Sequence, residues 1–105
     1  MFRVEIIVGR ELDKDNVRIR DAYTRAKDAL SLLSGVFGGC TLIESKGAWK
    51  DPKGELVRED GFIFRIDGVS AEDIQKARVA AHDIRILFNQ SSVVFTVIEA
   101  STEFI

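Results

Sequence analysis

The chain has 105 residues, enough for one compact domain spanning 1–105 and too few for two. Hydrophobic residues make up 46% and charged residues 30%, the balance of a folded domain with a core rather than a disordered segment. A formal net charge of -2 argues against a general nucleic-acid binder, which needs a basic face, and against a Lys- and Arg-rich interfacial membrane helix.

The first strand is predicted from Phe2 to Val8, where Phe2, Val4, Ile6 and Val8 alternate with Arg3, Glu5 and Ile7. Continuous apolar residues at its end suggest a central strand covered on both faces there. The run Ile6 to Val8 is too short for a signal-peptide core and is closed by Gly9-Arg10-Glu11. No membrane-spanning or export segment is read, so cytoplasmic residence is the expectation.

Gly9 to Asp15 is a polar connection, and Asp15 or Asn16 is expected to cap the first helix. Ile19, Ala22, Tyr23, Ala26, Ala29, Leu30 and Leu33 recur at helical spacing as one apolar stripe. Lys14, Arg18, Asp21, Arg25 and Asp28 follow a solvated face of mixed sign. Ser34-Gly35 is read as the end of this helix.

Gly38-Gly39 then leads into the apolar strand start Cys40-Thr41-Leu42-Ile43. A glycine pair there supplies positive φ or close packing. A phosphate-binding loop needs a preceding strand and a following helix, and this pair has neither. Cys40 is the single cysteine, so no intrachain disulfide forms, and it reads as a buried thiol rather than a nucleophile.

Asp51-Pro52-Lys53-Gly54 carries Pro and Gly at the second and fourth positions of a type I turn. It joins the strands 41–50 and 55–66 into a long hairpin. In simple register Trp49 faces Leu56, Ala48 faces Val57, Lys50 faces Glu55 and Lys46 faces Glu59. A bulge at Gly54 would shift each pair by one. Phe62, Phe64 and Ile66 share one face of the third strand, and Ile63 and Arg65 take the other.

Ser70 and Asp73 form an S-x-x-D helix start. The second helix follows with the stripe Ile74, Ala77, Ala81, Ile84 and Phe88, and Asn89-Gln90-Ser91 stops it. The single His82 lies mid-helix, and no metal-ligand spacing or cofactor motif accompanies it. The last strand is predicted over 93–100, with Val93, Phe95 and Val97 on one face and Val94, Thr96 and Ile98 on the other.

This order implies an α+β ferredoxin-like βαββαβ sandwich: a four-stranded antiparallel sheet with both helices on one face, each a right-handed crossover.

From Gly38 onward, over roughly two thirds of its length, the chain resembles a bacterial domain family of unknown function with a PII-like ferredoxin fold. The residues concerned are Gly38-Gly39-x-Thr41, Gly47-Ala48-Trp49, Asp51-x-x-Gly54, Arg58-Glu59 and Phe88-x-Gln90-x-x-Val93. PII-type signalling proteins share the topology, form trimers and bind nucleotides in clefts between subunits. The resemblance therefore implies a homo-oligomer, a trimer first and a dimer second. The hairpin here has a short turn where signalling PII proteins carry a long mobile loop, and no PII phosphate-binding signature is present.

The expected function is a self-associating, regulatory type of domain that binds a small anionic ligand at a subunit interface. The ligand-binding candidates are Lys46, Trp49, Lys50, Arg58, Glu59 and Arg65, which supply an aromatic face, cations and an acceptor from two paired strands. The structural alternative is that Trp49 packs an interface and the charges pair across strands. Two other classes stay open. Asp60-Gly61-Phe62-Ile63-Phe64-Arg65-Ile66 loosely resembles the RNA-contacting strand of an RRM, but Asp60 and Ile63 replace a basic and a small residue. A small dimeric α+β barrel enzyme is the other, although no nucleophile–base–orienter set can be assembled, which favours binding over catalysis.

Overall fold

A computed structural model describes residues 1–105. The elements run β1 (Phe2–Gly9), α1 (Ala22–Phe37), β2 (Thr41–Lys50), β3 (Leu56–Val69), α2 (Ile74–Leu87) and β4 (Val94–Glu99), with a 3-10 turn at Ala71–Asp73 leading into α2. The four strands form one antiparallel sheet in the order β2-β3-β1-β4. The parallel pairs β1/β2 and β3/β4 are thus joined through α1 and α2, the split βαβ arrangement expected from the element order. No helix is long and apolar enough to cross a membrane.

One sheet face carries Val4, Ile6, Val8, Phe62, Phe64 and Ile66, all buried against Ala26, Ala29 and Leu33 of α1 and Ala77, Ala81 and Ile84 of α2. Small alanines on the inner helix faces let the helices approach the sheet closely enough for three phenylalanines (Phe62, Phe64, Phe88) to fill the space between them. Leu30 and Ile74, on the apolar stripes of the two helices, pack against this core partly buried.

The first helix begins at Ala22, not at Asp15 or Asn16. Asp13 accepts hydrogen bonds from the backbone N–H of Asp15 (2.9 Å) and Val17 (3.0 Å), closing a turn in which Asn16 takes φ 61°. A short polar side chain that satisfies nearby backbone donors competes directly with helix formation. Ile19 still reaches the core, but from this loop, held by its N–H to Glu11 O at 2.7 Å. The helix also runs two residues past Gly35, and Gly38 terminates it at φ 83° with its N–H on Ser34 O. The second helix starts as expected, Ser70 Oγ accepting from Asp73 N–H at 3.3 Å.

The hairpin register is displaced by one from the simple reading: Trp49 faces Val57, Ala48 faces Arg58, Lys50 faces Leu56 and Lys46 faces Asp60. The cause lies in the turn. Gly54 N–H bonds Asp51 O, and Gly54 at φ 81° then adds one unpaired residue before Asp51 N–H bonds Glu55 O. A type I turn followed by a left-handed glycine is the three-residue hairpin with a built-in bulge.

Candidate functional site

Beyond the pair Gly9/Gly61, where β1 ends, β2 and β3 continue as a two-stranded ribbon, from Lys46/Asp60 to Lys50/Leu56. Its strands have no third neighbour, and it contributes to a long axis of 44 Å and a radius of gyration of 14.2 Å, against about 13 Å for a compact chain of this length. Alternation along the ribbon sorts its side chains between two faces. Lys46, Ala48, Lys50, Leu56, Arg58 and Asp60 take the helix side, and Gly47, Trp49, Val57 and Glu59 the open side.

The sequence candidates are therefore divided. Lys46 and Arg58 meet in a cleft of about 660 Å³ together with Glu11 and Asp60, floored by Gly47, Ala48 and Leu56. Lys50 stands on the same face nearer the turn. Trp49 and Glu59 occupy the opposite face, where Trp49 is half exposed and the Glu59 carboxylate lies over Gly9, leaving no room for a Cβ there. Arg65 also faces the open side, but opposite Thr41 at the start of β2. Thr41 and Trp49 lie eight positions apart, roughly 26 Å along a strand. Arg65 pairs with Asp67 at 3.5 Å and belongs to a different region, a second hollow with Cys40, Thr41 and Phe104.

One important residue escaped the sequence reading. Arg10, at the exit of β1, is only 17% exposed in its side chain. Its guanidinium lies 5.7 Å from the Tyr23 ring centre and 5.5 Å from that of Phe62. It donates to Tyr23 Oη at 2.6 Å and Glu44 Oε1 at 3.1 Å, and sits 3.5 Å from Asp60 Oδ2. Tyr23 Oη in turn donates to Glu44. That bond holds the phenol above its ordinary pKa, while the Arg10 charge opposes the rise. Arg10 was legible only as a loop residue, because Tyr23, Glu44 and Asp60 come from three other segments. This cluster adjoins the cleft through Asp60 and Glu11, and a neighbouring hollow of about 530 Å³ is lined by Arg10, Glu11, Arg18, Asp21 and Tyr23.

The arrangement holds cations and carboxylates side by side in an open cleft, with an aromatic network at its wall. Such a site suits a zwitterionic or polar small molecule better than a simple anion. No group of three or more His, Cys, Asp or Glu side chains converges. Phe62 and Phe64 are fully buried toward the helices, so the bases of an RNA strand cannot stack on them.

Solved structures of the same fold are recognisable at low identity. A phage SAM lyase in complex with S-methyl-5'-thioadenosine superposes with a TM-score of 0.68 at 24% identity, over 93% of this chain and 80% of that one. A phage SAM lyase in its apo state gives 0.65 at 25% identity, over 91% and 78%. The periplasmic divalent cation tolerance protein CutA of Archaeoglobus fulgidus gives 0.62 at 12% identity, over 99% and 88%. No protein-family model and no curated protein matches the chain. The likenesses establish a small ferredoxin-like domain of the kind that the resemblance to PII-like proteins implied.

Proposed function

We propose that this protein is a self-associating domain that binds S-adenosylmethionine or a close relative in the cleft beside the ribbon and cleaves it as a lyase. The observation that carries the reading is the mixed charge lining the cleft, Lys46 and Arg58 together with Glu11 and Asp60. A sulfonium bearing an amino-acid chain presents a cation, a carboxylate and an ammonium within a few bonds. Carboxylates answer the first and last, and the basic pair answers the second. The likeness to a phage SAM lyase holding S-methyl-5'-thioadenosine supports the same ligand class.

The chemistry also fits the lack of a recognisable nucleophile. When the bond between sulfur and the four-carbon chain breaks, its electron pair stays on sulfur, and the neutral thioether leaves. The four-carbon fragment closes as its own carboxylate attacks the carbon that sulfur leaves, so neither water nor a protein nucleophile is consumed. The protein's task is to hold the reacting chain in a productive geometry, which a search for catalytic triads does not detect.

Self-association is part of this proposal. Ile43, Ile63, Ile7 and Val94 are successive cross-strand neighbours and form an aliphatic row across the uncovered sheet face. The ribbon, with Trp49 50% and Leu56 60% exposed on its opposite faces, has little to pack on within one chain. A second copy laid against it would close the open side of the cleft, the interface site expected from the PII-like resemblance.

The test is incubation of purified protein with S-adenosylmethionine, following S-methyl-5'-thioadenosine by chromatography. The thioether is expected to accumulate, and Arg58→Ala is expected to lower the rate. If calorimetry detects binding of neither compound and no thioether forms, the reading is wrong.

A further inference from the structure

Gln90 is the only buried residue with a polar side chain, 8% exposed, at the turn between α2 and β4. Its carboxamide nitrogen donates to two backbone carbonyls, Leu12 O at 2.9 Å and Gly9 O at 3.3 Å. Those carbonyls bracket Arg10 and Glu11, the residues that bring the β1 exit to the wall of the cleft. The same stretch is pinned on its other side by Arg10 N–H on Asp60 O at 3.0 Å. Asn89, in the left-handed region at φ 49°, extends the clamp: its amide donates to Asp13 Oδ2 at 2.9 Å and its carbonyl accepts from Lys14 N–H.

We propose that Gln90 is a positioning residue for the cleft, stapling residues 9–12 so that Arg10 reaches Tyr23, Glu44 and Asp60 and Glu11 lines the cleft with Lys46 and Arg58. The chemistry is specific to a primary amide at this reach. One nitrogen carrying two hydrogens serves two carbonyls. A carboxylate would set an acceptor against acceptors, and an apolar side chain would leave both part-buried carbonyls without this partner. The inference rests on the binding reading for its ligand consequence, but the placement of Arg10 is measurable without any ligand.

The experiment uses the full chain with 13C-labelled tyrosine. Tyr23 is the only tyrosine, so its phenol gives a single resonance that reports the contacts with Arg10 and Glu44. Gln90→Met keeps the length of the side chain and removes both donors; Gln90→Asn keeps the amide but is too short to span both carbonyls. In the folded variants the Tyr23 resonance is expected to move and the phenol to titrate at higher pH, because the Arg10 charge that opposes the rise has been displaced. Affinity for S-adenosylmethionine, which carries the charges that Glu11, Lys46 and Arg58 would meet, is expected to fall by about tenfold or more once that wall is displaced. A purely structural Gln90 would lower stability and leave the tyrosine signal of the folded protein unchanged, and that result overturns the proposal. So does unfolding of both variants, which would make Gln90 a core residue. If the unaltered protein fails to bind S-adenosylmethionine while the tyrosine signal still moves in the variants, the ligand reading fails and the positioning role stands.

Discussion

Phe64 illustrates how the core is set. It is fully buried on the helix side of the central strand β3, between the Leu42 and Ile6 positions of its neighbours. Phe64→Ala is expected to cost about 3–5 kcal/mol in a denaturant melt, the transfer loss plus an unfilled cavity; a loss below about 1 kcal/mol would place the residue on the wrong face. Cys40 is half-buried beside the Gly38-Gly39 turn, and desolvation pushes its thiol up to about 11. Alkylation of the folded protein is therefore expected to be slow at neutral pH and to accelerate only toward pH 11. The sign for stability follows from the same shift. Folding favours the protonated thiol, so its contribution is complete below pH 9, the unperturbed value, and is lost as pH rises through about 11. Cys40→Ser should flatten that part of the pH–stability curve.

Among the elements, the ribbon is the one that local chemistry dictates most directly. Its register depends on a single left-handed glycine, Gly54. Gly54→Ala is expected to destabilise the protein by about 1 kcal/mol through backbone strain alone, because an added Cβ there meets no neighbouring atom. Thermal melts would reveal it. Trp49, on the open face of the same ribbon, separates the two roles considered for this region. If it anchors the proposed assembly, Trp49→Ala should lower the oligomer mass, since an aromatic at an interface centre carries about 2 kcal/mol or more. If it covers a neighbour's cleft instead, mass should survive and binding of S-methyl-5'-thioadenosine should weaken. A variant unchanged in mass, stability and binding removes Trp49 from both roles.

For the molecule as a whole, the prominent asymmetry is between its two sheet faces. One is sealed by two helices; the other exposes an aliphatic row bordered by Arg3, Glu5, Arg65 and Asp67, with Arg3 and Asp67 paired at 2.7 Å. Both edge strands, β2 and β4, are also free to pair. Light scattering at micromolar concentration is expected to give a multiple of the 11.7 kDa chain mass, three first and two second. Ile63→Lys, in the middle of the row, is expected to yield the chain mass while keeping the helical circular dichroism signal, because a lysine stem lies along an open sheet face without entering the core. A wild-type protein already at the chain mass would refute the assembly.

The element order, the two crossovers, the face of β3 and the cap of the second helix were all legible in the chain, because each depends on periodicity or on a residue within a few positions. The start of α1 was not. Its apolar spacing continues back to Ile19, but Asp13 closes a competing turn whose partners are visible only once the loop is folded. The hairpin register turned on whether one glycine bulged, a choice between two local conformations that strand patterning leaves open. The candidate cleft is the part least legible in the chain. Lys46 and Arg58 share a hairpin and can be brought together from it, whereas the stretch from Gly9 to Leu12 and Gln90 belong to segments up to 81 positions apart. Only the closed fold brings a loop after β1 under a turn before β4, since strands β1 and β4 are neighbours in space and opposite ends of the sequence. Local pattern determined which elements form and which way they face; the meeting of distant polar groups in one cleft was decided by the tertiary structure, since no local signal records a contact across the sheet.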